Sequence, residues 1–250
     1  MSDAAGLDSV SAARIARAVR PSEYARLLDL PVERLDEEPF GSMATAARDW
    51  YTAHGEPFRR VRRVALAGRT TEGVCVRPGS SEPRAREPLV HLRSELLRRR
   101  LRMAEHDALV AVVASAGPSI SEHASRTFPD DPSAGWFLER FGVAVVEELV
   151  REVGADARLL GPFAPGYVGW ELAEGEALFE LLRDDSTMPV QLLPSGMLQP
   201  SHSVCVAFGV RAKGAMDRTR LGRLRPLARR DESPCDTCSL VDCAWRRTDA

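Results

Sequence analysis

Two groups of residues in this chain have the types and spacing to do chemistry. Toward its end, Cys235, Cys238 and Cys243 form a Cys-x2-Cys-x4-Cys run. Three thiolates on so short a loop give the geometry of a metal or iron–sulfur site. A tetrahedral zinc there needs a fourth ligand, which Cys205, Cys75, His202, Asp242 or an exogenous group could supply. An iron–sulfur cluster with one open or non-cysteine position fits the same spacing, and redox thiols are a third reading. The second group lies between Leu160 and Val210. Ala164-Pro165-Gly166-Tyr167 is a tight turn, because proline fixes φ and glycine permits positive φ. Its backbone amides are expected to face a ligand, and Tyr167 offers a ring face and a hydroxyl. Further on, Pro194-Ser195-Gly196-Met197 leads into a second apolar segment. Two small-residue turns bracketing one helix are what a pocket for a small polar molecule requires.

The elements that must hold these turns are legible from periodicity. Helical pattern runs from about Ser11 to Leu28, with Pro21 opening a further turn, and again from Glu37 to His54, where Trp50 and Tyr51 face a core. Val61–Thr70 and Gly73–Arg77 read as a hairpin around Thr71-Glu72. A Pro/Gly/Ser/Arg-rich loop follows, then a helix expected from about Leu89 to Ala104, whose basic run Arg98–Arg100 and Arg102 reads more readily as a solvated face than as a partner-docking patch. Ala108–Ala116 is a continuous small-apolar run, the pattern of a buried central strand. Asp130-Asp131-Pro132-Ser133 caps a long helix carrying Phe137, Phe141, Val145, Val146 and Leu149 at helical spacing. A shorter amphipathic helix is expected from Glu171 to Arg183. Helices and strands intermix without a βαβ rhythm, so the class is α+β with a mixed or antiparallel sheet flanked by helices. The domain division expected is a helical segment over 1–60, a core over 61–215, and a basic linker with a Cys-rich tail over 216–250.

Composition removes several function classes. A net charge of −2 argues against a general nucleic-acid or anionic-membrane surface. The basic stretch after Val210 lacks the interleaved aromatics of a single-strand binder. No apolar run has the length of a membrane span, and Met-Ser-Asp-Ala-Ala-Gly lacks the basic and apolar regions of a signal peptide. An odd cysteine count of 5 with three clustered fits a reducing, cytoplasmic setting better than a disulfide framework. No nucleophile elbow, phosphate loop, zincin motif or dinucleotide fingerprint is present.

The order turn, helix, small-residue turn, apolar strand resembles the activation (AdoMet-binding) domain of cobalamin-dependent methionine synthase, in the stand-alone form with a cysteine tail. The family pattern is roughly Arg-x-x-Pro-Gly-Tyr, a helix, then Ser-x-Met-x-Pro-x-x-Ser-Val. Here those positions are Pro162 to Tyr167, the helix from Glu171, and Ser195 to Val204. The resemblance covers about Ala108 to Val210. It implies binding of S-adenosylmethionine, whose methyl group re-methylates a cobalamin that has lapsed to inert Co(II), trapping the metal after its uphill reduction. It implies a corrinoid-bearing methyltransferase as partner and an electron donor that the sequence does not identify. It also marks Glu147, Ala164, Pro165, Gly166, Tyr167, Ser195, Gly196 and Ser203 as ligand-binding positions, Glu147 as a carboxylate able to attract a sulfonium and accept from an amine or ribose. The alternative is a metal- or cluster-bearing corrinoid-docking protein without AdoMet binding. The chain departs from the pattern at Pro162, where the family has an arginine suited to clamp a carboxylate. Arg158 and Arg183 are the sequence neighbours able to replace that charge.

Overall fold

The structure, a computed structural model, describes residues 7–78, 88–183 and 188–212. The first half consists of β1 (Leu7–Ser9), α1 (Ala12–Ala18), α2 (Pro21–Leu28), α3 (Phe40–His54), β2 (Phe58–Arg69), β3 (Gly73–Arg77), β4 (Val90–Arg93) and α4 (Glu95–Arg100). The second half consists of β5 (His106–Ser115), α5 (Pro118–Thr127), α6 (Pro132–Gly154), β6 (Leu159–Phe163), α7 (Glu176–Glu180), β7 (Gln191–Leu192), β8 (Leu198–Gln199) and β9 (Ser203–Arg211). Single 3-10 turns occupy Val32–Asp36 and Leu172–Gly175.

Strand β5 is the spine of the sheet. It pairs antiparallel with β2 from Phe58↔Ser115 to Ala65↔Ala108, and with β9 from His106↔Arg211 to Ser115↔Ser203. Across the sheet the order is β4-β3-β2-β5-β9-β6, with β1 sharing the free edge of β2 ahead of β3. Every pairing is antiparallel, so the α+β class expected from the sequence holds. β7 and β8 form a separate two-stranded hairpin.

Because side chains alternate along a strand, β5 feeds two cores. Ala108, Val110, Val112 and Ala114 pack under α1, α2, α3, α5 and α6, whereas Leu109, Ala111 and Val113 pack with Leu97, Trp170, Leu178 and Phe179 on the opposite face. On the helical face, Asp131 caps α6 by accepting from the Ala134 amide at 2.9 Å, with Pro132 at the first helical position, as the sequence predicts. Each fully buried Leu, Val or Phe there contributes about 1.5–3 kcal/mol. Phe141 sits at the centre, edge-on to both Tyr24 and Tyr51.

Two expected helices are corrected. Leu89–Ala104 is not one helix: Val90–Arg93 is strand β4, and only Glu95–Arg100 is helical. Leu92 is buried between exposed His91 and Arg93, a period of two rather than 3.6, and Ser94 then starts α4 by accepting from the Leu97 amide at 3.1 Å. The helix expected over Glu171–Arg183 is a 3-10 turn followed by the five residues of α7. Gly175 divides them. A Cβ there would lie 2.9 Å from Pro165 Cγ, so glycine lets this segment close onto the turn.

Candidate ligand-binding site

The Pro-Gly-Tyr turn follows edge strand β6. Gly166 takes φ +92° and Gly169 φ +85°, conformations that favour glycine. The turn closes on itself: the Gly166 amide donates to Trp170 O at 2.8 Å, the Tyr167 amide to Ala164 O at 3.1 Å, and the Trp170 amide to Tyr167 O at 2.8 Å. The Gly166 and Tyr167 amides therefore hold the turn, contrary to the expectation that they face a ligand. What the turn presents outward is side chain, with Tyr167 and Val168 exposed at its tip.

The chain then crosses the sheet face to the opposite edge. The Leu96 amide at the start of α4 donates to Gly169 O at 2.9 Å, and the Ser94 amide donates to Glu72 O at 2.9 Å. Three segments distant in sequence so enclose an open cleft of about 690 Å³: the β2–β3 turn (Glu72), the β4–α4 junction (Arg93, Ser94, Glu95), and the stretch from Gly166 to Glu174. Val168, Leu172 and the buried Trp170 give it apolar lining beside the charged residues. Four carboxylates line it, those of Glu72, Glu95, Glu171 and Glu174, against the single guanidinium of Arg93. Arg93 Nε donates to Glu72 Oε2 at 3.1 Å, and its Nη1 lies 3.7 Å from Glu174 Oε1. Glu95 is held by Arg98 and Arg99, whose hydrogen bonds bring its carboxyl down to about 2. Four carboxylates against the guanidiniums of Arg93, Arg98 and Arg99 leave the walls a small net negative charge. The indole N–H of Trp170 is buried without an acceptor among the described residues. Such a cleft suits a small cationic molecule with an aromatic portion able to lie against Tyr167.

The predicted site residues divide into three groups. Pro165, Gly166 and Tyr167 build the cleft or pack directly behind it; Ala164 is buried at the root of the turn. Ser195 and Gly196 form the tip of the β7–β8 hairpin, where the Leu193 amide donates to Met197 O at 2.8 Å. Gly196 rests on Leu172, a cleft residue, so the second small-residue turn flanks the first. Glu147 and Ser203 are placed elsewhere. Glu147 lies on α6, on the helical side of the sheet, where both its oxygens accept from Arg26 Nη2 at 3.0 Å. Ser203 begins β9 and donates to Ser115 Oγ at 2.9 Å. Its neighbour His202 is buried between α5 and α6, bonded to Ser121 Oγ at 2.6 Å and Glu139 O at 3.0 Å. Gly142 leaves the room for its ring, since a Cβ there would lie 2.8 Å from it.

Neither Arg158 nor Arg183 lines the cleft: Arg158 pairs with Asp156 and Arg183 with Glu180. Glu72, Arg93, Glu95, Trp170, Glu171 and Glu174 were not singled out by sequence. The one available signal was the adjacency of Trp170-Glu171 to the turn. Among the described residues no cluster of three or more His, Cys, Asp or Glu is placed to hold a metal. Cys235, Cys238 and Cys243 lie outside the described residues. Cys75 and Cys205 are buried, and burial pushes the Cys205 thiol far above the ordinary thiol range, so it is a neutral core side chain rather than a ready ligand.

The fold is that of a methionine synthase activation domain. Thirteen chains of solved structures match this chain, and among them is a crystal structure of the MetH reactivation domain bound to AdoHcy. That likeness has a TM-score of 0.59 and covers 82% of this chain and 78% of that one, at 15% sequence identity. No protein-family model matches the sequence, and no curated protein matches it.

Proposed function

We propose that this protein binds S-adenosylmethionine in the Tyr167 cleft and serves as the reactivating partner of a corrinoid-dependent methyltransferase. One observation carries the reading: the turn that resembles the family's ligand-binding motif forms one wall of an acidic cleft. The fold around it is shared with a protein solved with AdoHcy bound. The ligand fits by chemistry. Its sulfonium and ammonium are cations and the cleft has four carboxylates; its adenine is a flat ring and Tyr167 stands exposed at the rim. The volume lies within the roughly 300–1,000 Å³ usual for small-molecule sites.

When bound, AdoMet supplies an electrophilic methyl group. The chain's own residues position it. Glu171 and Glu174 attract the cationic end, Tyr167 holds the ring, and the backbone bonds of residues 164–170 keep the turn rigid, so that binding energy goes into orientation. The cleft is open, which leaves the ligand accessible to a corrin carried by another protein.

Calorimetric titration of AdoMet into anaerobically purified full-length protein, with S-adenosylhomocysteine alongside, tests the reading. A dissociation constant of about micromolar order is expected, equivalent to about −8 kcal/mol. Absence of heat at AdoMet concentrations up to the millimolar range would sink it. A metal on Cys235, Cys238 and Cys243 is a separate proposal resting on their spacing. Metal analysis of the purified chain and of its triple serine variant tests it; equal metal content in both would refute it.

A further inference from the structure

We propose that Arg93, set between Glu72 and Glu174, is the recognition site for the α-amino-acid end of the ligand: its guanidinium takes the carboxylate and a flanking glutamate takes the ammonium. The inference rests on the assignment of the cleft to AdoMet and specifies which wall reads which part of the molecule.

Charge matching is the first argument. AdoMet has one anionic group, its carboxylate, and Arg93 is the one cationic side chain lining the cleft among the described residues. Pro162 carries no charge, and Arg158 and Arg183 are paired away from the cleft. The second argument is geometric. Strand β4 buries Leu92 and so turns Arg93 outward, and the bond from the Ser94 amide to Glu72 O fixes the backbone immediately after it. The side chain is 61% exposed, with a single hydrogen bond to Glu72 and a looser approach to Glu174. Such solvent-exposed ion pairs are weak and exchange readily, and a planar guanidinium with five donors can accept a carboxylate bidentately while keeping Glu72 at Nε. Displacement of Glu174 from Arg93 would leave that carboxylate free for the ligand's ammonium. The cleft then neutralises both charges of the zwitterion with residues already in contact.

The experiment compares S-adenosylhomocysteine with 5′-methylthioadenosine, which keeps the adenosyl thioether and lacks the amino-acid end. Both are titrated into the full-length protein and its Arg93→Gln and Arg93→Lys variants, with folding checked by circular dichroism. The unaltered protein is expected to prefer S-adenosylhomocysteine by about tenfold or more. Arg93→Gln should erase that preference while leaving methylthioadenosine affinity unchanged, and Arg93→Lys should restore part of it. An equal affinity of the unaltered protein for the two ligands, or an undiminished preference in Arg93→Gln, overturns the inference and leaves the AdoMet assignment standing. Failure of the unaltered protein to bind AdoMet itself, titrated alongside, overturns both.

Discussion

The two faces of the sheet are built on opposite plans. On one, the 23-residue helix α6 lies with α1, α2, α3 and α5 over a continuous apolar core, and the two buried phenols within it each find an acceptor: Tyr24 Oη donates to Phe137 O at 2.7 Å and Tyr51 Oη to Ala116 O at 2.9 Å. Burial drives both phenols far above the ordinary tyrosine range. On the other, the cover consists of the short helices α4 and α7, a 3-10 turn and loops shaped by Gly166, Gly169 and Gly196 at positive φ. Its outer charges meet in exposed ion pairs. The first plan concentrates stability, the second leaves side chains exposed and exchangeable. Stability and ligand affinity should therefore respond to different substitutions.

The hardest test of that separation is Phe141→Ala, which should cost about 3–5 kcal/mol in denaturant unfolding while the folded fraction keeps its AdoMet affinity. Gly169→Ala should cross the divide. A side chain there meets the Leu96 amide at 3.2 Å and forces positive φ on a non-glycine residue, so about 1–3 kcal/mol of stability and ligand affinity fall together. Tyr167→Ala should shift the unfolding free energy by no more than about 0.5 kcal/mol. Calorimetry should nonetheless show AdoMet binding weakened about tenfold; an unchanged constant would remove Tyr167 from the site. Glu147→Gln weakens the partly exposed pair with Arg26, worth about 0–1 kcal/mol, and should leave AdoMet affinity as it was. A large loss of affinity would instead move ligand recognition to the helical face. The smallest effect is on pH dependence. Burial lowers the folded-state pKa of His106 and, together with the nearby Arg126 and His54, that of His123, so the unfolded chain binds more protons around the ordinary histidine value. The stability this provides is complete above about pH 6.5 and is lost as pH falls through the folded-state pKa values. Melting temperatures should drop over that window, and less steeply in His106→Gln.

Periodicity exposed the helical face in the sequence and largely concealed the cleft. The Ala108–Ala116 run and the Asp131 cap announce β5 and α6 because burial repeats along a single element and the capping side chain is local. Tyr167 was legible because Pro165 and Gly166 fix a turn by themselves. Arg93 was not, since β4 is four residues long and its flanking Leu89, Leu96 and Leu97 also fit a helical stripe. Glu72, Arg93 and Glu174 gain meaning only when the chain leaving β6 reaches the far edge of the sheet. Glu147 has helix neighbours that permit a pocket-lining role, and only the packing of α2 beside α6 shows that Arg26 occupies it.

The bond from the Leu96 amide to Gly169 O joins a segment that leaves one edge strand to a helix that begins beside the other. The cleft consequently exists only when every strand between those edges is in register. Occupancy is then thermodynamically linked to assembly of the entire sheet, and saturating ligand should raise the free energy of global unfolding by RT ln(1 + [L]/Kd), about 2.7 kcal/mol at a hundredfold excess over Kd. Amide exchange should slow together in β4 and β6, at opposite borders of the sheet, although the ligand touches neither border alone. A proteolytic fragment lacking either edge would forfeit binding altogether.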